Sequence, residues 1–276
     1  MASKFEIVEY LGSGQFSNVY KIRKKYGNNI MALKMEKDDV PLPMIQFEAK
    51  ILHYLQGESC YHIPHIYYYG IFEERPSMAL SFYDISYEDY ILQTDFPREP
   101  KEPETLFREI IKILKSIHLA KIIHCDIKPA NFMMKNGELY LVDFGLAKIY
   151  VDHENSVIPD KFPLSHVLGT PKYISIFIHE GHSSSLRDDI LSSLYVYLFS
   201  KTKELPWEYV SENDVTQDPL DKIDHPQNKE RLLKKRAFHD YVNESHLGQA
   251  LTLIQNIGFG EVPDYTKLLN LFITLI

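Results

Sequence analysis

Two glycines, Gly12 and Gly14, interrupt the apolar residues of LGSGQFSNVY, and a lysine, Lys34, stands among apolar neighbours in MALKME. Glycines let backbone N–H groups come close to phosphate oxygens, and a lysine inside a strand is costly unless it is paired. Together they fit a lid and a cation for a nucleotide triphosphate, with Glu48 as the carboxylate that holds the ammonium in place. The plainer alternative is a surface β-turn and two solvated charges. The glycines lie between two strand-like runs, unlike the strand-to-helix glycines of a dinucleotide fold, and no G-K-[ST] of a P-loop follows them.

The elements that would carry these residues change character along the chain. FEIVEYLG, SNVYKIRKK and NNIMALKME read as an antiparallel meander, with Gly27, Asn28 and Asn29 forming a tight turn before the third strand. After Pro41 and Pro43, the spacing of Met44, Phe47, Ile51, Tyr54 and Leu55 predicts an amphipathic helix that ends at Gly57 and carries Glu48. Two apolar segments follow, IPHIYYYGIF and SMALSFYD. Beyond the Pro-rich DFPREPKEPE the pattern turns helical. Leu106, Ile110, Ile113, Leu114 and Ile117 mark one face, and Ile190 to Phe199 a more fully buried helix. The acidic segment Glu208 to Gln227, with Pro219 and Pro226, reads as an exposed loop, and Trp207 as an anchor for the loop after the central helix.

The stretch IIHCDIKPANFMM, followed by LYLVDFGLAK, resembles the protein kinases. His124-Cys125-Asp126 with Lys128 and Asn131 looks like the catalytic loop H-R-D-x-K-x-x-N, and Asp143-Phe144-Gly145 is the D-F-G motif intact. The resemblance implies ATP and Mg²⁺ as cofactors. Asn131 and Asp143 would hold the metal, Asp126 would orient the attacking hydroxyl and accept its proton, and Lys128 would steady the γ-phosphate. Lys128, and Thr170 in LGTPKY, agree with a Ser/Thr protein kinase.

The C-terminal half is similar to the casein kinase 1 group: GTPKYISIFIHEG, LRDDILSSLYVYLF, LPWE and PDYTKLLNLF stand where that family has its own versions of these segments. The match spans nearly the whole chain. It implies an α+β, bilobal protein kinase fold over 1–276: a small antiparallel β-sheet N-lobe with one helix (1–80), a hinge (81–84, Ser81 to Asp84) and a larger, mostly helical C-lobe (85–276). ATP would meet Leu11, Gly12, Ser13, Gly14, Phe16, Val19, Ala32, Lys34, Leu80 as gatekeeper, Ser81, Phe82, Tyr83, Asn131 and Asp143. The catalytic set would be Lys34, Glu48, Asp126, Lys128 and Thr170.

Three residues depart from the pattern. Ser17 replaces the third glycine, at the position least pressed against phosphate. Cys125 replaces the catalytic-loop arginine that docks a phosphorylated activation loop, so the enzyme is expected not to require such phosphorylation. It reads either as a redox thiol or as a small hydrophobe. Phe177 replaces an asparagine behind the substrate loop. Lys172, Arg187 and the run Lys229, Arg231, Lys234, Lys235, Arg236 suggest protein substrates with acidic or phosphorylated Ser/Thr sites, a solvated helix face and a nuclear-import signal being other uses of the run.

At 276 residues, with 45% hydrophobic and 25% charged positions, the chain has globular composition. It lacks an apolar run of the roughly 18–20 residues that span a bilayer. It also lacks a secretory h-region, so no membrane partner is expected and the location reads as cytoplasmic or also nuclear. A net charge of −8 opposes nucleic-acid binding. Cys60 and Cys125 form no C-x-x-C, and the His53, His62, His65 and Cys60 group matches no zinc spacing. A monomer is expected. The alternatives to an active protein kinase are a catalytically weak pseudokinase scaffold and a small-molecule phosphotransferase.

Overall fold

The structure of the protein is a computed structural model. The structure describes residues 5–27, 29–38, 40, 42–93, 101–211, 219–242 and 245–272. In chain order its elements are β1 (Phe5–Ser13), β2 (Ser17–Lys24), β3 (Ile30–Glu36), α1 (Met44–Gly57), β4 (Ile66–Phe72), β5 (Arg75–Ser81), β6 (Ile85–Ser86), α2 (Tyr87–Leu92), α3 (Pro103–Leu119) and β7 (Ile122–Ile123). There follow β8 (Phe132–Lys135), β9 (Glu138–Leu141), β10 (Lys148–Ile149), α4 (Ile176–His179), α5 (Leu186–Thr202), α6 (Pro226–Tyr241), α7 (His246–Gln255) and α8 (Tyr265–Leu271). They group into two compact units: one runs to Ile85 and takes in Met133–Gly145, the other comprises Ser86–Phe132 and the chain from Leu146.

The first unit is built on a five-stranded sheet of order β1-β2-β3-β5-β4, antiparallel throughout. Strand alternation sends Met31, Leu33 and Met35 of β3 to one face, where they pack with Phe5, Ile22, Phe72 and Ala79. Tyr67 and Tyr69 of β4 are exposed while Tyr68 turns to this core, the alternation of an ordinary strand. Gly27, at φ 145°, opens the β2–β3 connection, and the Lys24 amide reaches the Asn29 carbonyl; Asn28 and Pro41 lie outside the described residues. Between β4 and β5 the turn residues are Glu73 and Glu74, at φ 48° and 66°, the left-handed pair that a two-residue hairpin demands.

Helix α1 has the expected limits but presents a different face. Ile45, Glu48, Ile51, Leu52 and Leu55 are buried, whereas Phe47 and Tyr54, expected on the apolar stripe, are exposed. The rotation follows from Glu48: its partner lies inside the sheet, so its carboxylate takes an inward position and the neighbouring aromatic residues turn outward.

The second unit is mostly helical. In α3 the expected stripe of Leu106, Ile110, Ile113, Leu114 and Ile117 is buried, and the helix packs on α5. Helix α5 is buried on almost every side, and it starts with a capping box in which Ser185 and Asp188 exchange side-chain-to-backbone bonds. The expected loop from Glu208 to Gln227 ends earlier than its prolines suggest, because Pro226 is the first residue of α6, where a missing N–H costs nothing. Residues 212–218 of that loop, and 95–100 of the Pro-rich stretch, lie outside the described residues. Among the described residues no helix is long and apolar enough to cross a membrane.

Trp207 is fully buried, donates from Nε1 to the Lys172 carbonyl at 2.8 Å, and packs edge-on against Tyr195 and Phe238. It anchors the segment after α5, as expected. Trp207→Ala should destabilise the protein by about 3–5 kcal/mol, measured as a lower midpoint of guanidinium unfolding of the second unit.

Candidate active site

In the first unit, register decides which residues share the face opposite the core. Val19 pairs with Lys34 and Ala32 with Leu80, so these four of the expected nucleotide residues project from one side of β2, β3 and β5. Lys34 is the polar centre of that face: its Nζ lies 2.7 Å from Glu48 Oε2 and 2.7 Å from Asp143 Oδ1. The Phe144 amide donates to the other Glu48 oxygen at 3.2 Å, tying the D-F-G turn to α1. Burial alone would lower the Lys34 pKa, but Glu48 and Asp143 overcome that and raise it above the ordinary lysine value. Burial pushes the Glu48 carboxyl up, opposed by Lys34 and by the Phe144 amide. The paired reading of Lys34 and Glu48 therefore replaces that of two solvated charges.

The glycine turn is held by the Gly14 amide on the Ser17 carbonyl (2.8 Å) and Ser13 Oγ on Asn18 Oδ1 (2.9 Å). A Cβ on Gly12 would meet no atom within 4 Å, so the space beside this backbone is open. Leu11 is exposed and Phe16 half-buried, while Ser17 packs inward as the first residue of β2. In the expected hinge, the Ser81 amide donates to the His65 carbonyl, the Asp84 amide to Met134, and Lys135 Nζ to the Phe82 carbonyl; Tyr83 is buried.

In the second unit, Asp126, Lys128, Asn131 and Thr170 form one network. Asp126 Oδ1 accepts from the Thr170 hydroxyl (2.7 Å) and amide (3.0 Å), and Oδ2 lies 2.7 Å from Lys128 Nζ and accepts from Asn131 Nδ2 (3.0 Å). Lys128 Nζ also donates to Thr170 Oγ1 at 2.9 Å. The approach of Thr170 depends on Gly169, at φ 100°: a Cβ there would lie 2.6 Å from the Cys125 carbonyl oxygen. Both contacts of Asn131 use its Nδ2, so its amide oxygen is the end suited to a cation. In the first unit the Asp143 carboxylate is half-exposed, and amide and carboxylate oxygens are the donors that a hard divalent ion takes.

Residues that sequence reasoning missed support this network. Asp189, buried in α5, accepts from the His124 amide (2.7 Å), the Cys125 amide (3.0 Å) and His118 Nε2 (3.1 Å), bracing the loop in which Cys125 takes φ 68°. Asp188 takes Ser175 Oγ and the Ser185 N-cap. Two adjacent acids ahead of a long apolar run, in LRDDILSSLYVYLF, were the available signal. Cys125 packs among Ile123, Tyr150, Val151 and Leu186, and burial, with Asp189 beside it, pushes its thiol pKa up. A protonated, enclosed thiol is a small hydrophobe, not a redox centre.

The cations expected at a substrate groove are internally engaged. Lys172 bridges to Glu208, and the Arg187 guanidinium stacks 3.5 Å from the ring centre of Phe177. Lys229, Lys234 and Arg236 pair with Asp224, Glu230 and Glu180, Arg231 is half-buried, and Lys235 is fully buried, so the run is not simply a solvated face.

Residues 5–257 match the family model described as protein kinase domain.

Lys34→Met leaves Glu48 buried beside Asp143 without its cation and should cost about 3–5 kcal/mol, whereas adding Glu48→Leu should recover most of that loss in urea titrations.

Proposed function

The chain belongs to the protein kinase domain family, and from that premise we propose that it is a Ser/Thr protein kinase resembling casein kinase 1, which uses Mg²⁺ with ATP and phosphorylates acidic or already phosphorylated protein sites. Members of the family are phosphotransferases that use ATP and a divalent metal. The observation that carries the reading is the set of contacts on Asp126: a carboxylate aimed by Thr170, Lys128 and Asn131 is a base fixed in position.

When bound, Mg·ATP supplies the phosphoryl group and the metal charge that offsets its oxygens. Lys34, kept charged and oriented by Glu48, binds phosphate oxygens, and the glycine turn offers its amides to them. Asn131 and Asp143 are assigned as the metal's protein ligands through Asn131 Oδ1 and the Asp143 carboxylate. Asp126 orients the incoming hydroxyl and takes its proton, while Lys128 neutralises charge on the group in transfer. Thr170, closed onto Asp126 and Lys128, suits a small serine or threonine hydroxyl. Support for acidic or phosphorylated substrates lies in Lys229 and Arg236 of α6, whose side chains stay 60% and 53% exposed although paired.

Asp126→Asn should lower phosphate incorporation into protein by about 10²–10⁴-fold without loss of fold; equal incorporation by the two proteins would remove the assignment. A positional peptide library should show faster transfer when acidic or phosphorylated residues precede the target serine. Equal rates with basic residues there would dismiss the substrate class and leave the kinase reading standing.

A further inference from the structure

A residue with no exposed surface in the middle of a helix is ordinarily leucine or methionine. On α6 that position is Lys235. Its Nζ donates to the Pro171 carbonyl at 3.0 Å and the Ile174 carbonyl at 2.5 Å, and lies 3.1 Å from His179 Nε2, with the rings of Tyr195 and Trp207 alongside. These contacts use its whole hydrogen-bonding capacity in either protonation state: an ammonium donates to all three, and an amine donates to the two carbonyls and accepts from His179. Burial presses the group toward neutrality, and the nearby Arg231 adds to this.

The two carbonyls belong to a turn that begins at Thr170. The amides of Tyr173 and Ile174 close it by donating to the Thr170 carbonyl at 2.8 and 3.0 Å, and Ser175 Oγ pins its end to Asp188. Thr170 in turn spends its hydroxyl on Asp126 and Lys128. We propose that Lys235 is a positioning residue for phosphoryl transfer: by holding the carbonyls of Pro171 and Ile174 it fixes the turn that carries Thr170, and through Thr170 it sets the aim of Asp126. An apolar side chain would fill the same space at a smaller desolvation cost but could not bind either carbonyl. The kinetic consequence rests on the kinase reading above; the structural one does not.

The test is a cycle of wild type, Lys235→Met, Thr170→Ala and the double variant, each assayed for peptide phosphorylation and for amide hydrogen exchange. Lys235→Met should lower kcat about 10- to 100-fold with the KM for ATP little changed, and in the Thr170→Ala background it should add less than about twofold, because the path through Thr170 is already cut. Exchange of amides in 170–179 should rise about tenfold while α3 and α5 keep their protection. An unchanged kcat, an equal loss in both backgrounds, or protection lost evenly across the unit, misfolding included, would overturn the proposal. If wild type transfers no phosphate, the kinase reading fails, and the exchange pattern, which needs no catalysis, decides the role of Lys235 by itself.

Discussion

A carboxylate sealed inside a helix organises the second unit. Asp189 gives both its oxygens to two consecutive backbone amides on the chain between β7 and the proposed base, and it also accepts from the ring of His118 on α3. Consecutive amides converge on one carboxylate only if the backbone bends sharply, and Cys125 adopts a left-handed conformation at that point. Leaving two buried amides unsatisfied would be expensive, so the bend, the carboxylate and the helix that carries it stand or fall together. From there the geometry propagates outward: Asp126 follows the bend, Thr170 closes on Asp126, and Gly169 provides the clearance.

The first unit solves a different problem with the same means. A sheet with one apolar face needs a partner for anything charged on the other, and Lys34 finds two, one on α1 and one on the D-F-G turn. The ion pairs cost desolvation, and well-packed apolar side chains in their place could be at least as stable. What they add is registry: α1 can rotate in neither direction without breaking a contact, and the same carboxylate captures the Phe144 amide. This accounts for the helix turning Phe47 and Tyr54 outward against the simplest reading of its apolar pattern.

How far the sequence could be read depended on the range of the forces involved. Strand alternation and the α3 stripe are local properties, and both appear in the structure where the pattern puts them. The residues at the two polar centres were legible as motifs, and the pairing of Lys34 with Glu48 followed from the cost of burying a lone cation. The internal contacts of Asp189 and Lys235 were not legible, and Lys235 read only as one of a run of substrate-facing cations, because each acts on backbone groups more than fifty residues away, and backbone groups carry no sequence signature. Lys235 in particular is indistinguishable in KERLLKKR from its solvated neighbours; only the direction in which α6 faces separates them. The end of the acidic loop was misjudged for a simpler reason: Pro226 both ends loops and begins helices, and spacing alone cannot tell which.

The hairpin tip at Glu73 and Glu74 lies outside all of this chemistry. Both residues carry a Cβ in a backbone region that penalises one, and they set two like charges side by side. That corner is the place to look for a hardier protein: exchanging the pair for Asn-Gly would relax the chain there without asking any residue of the two polar centres to move.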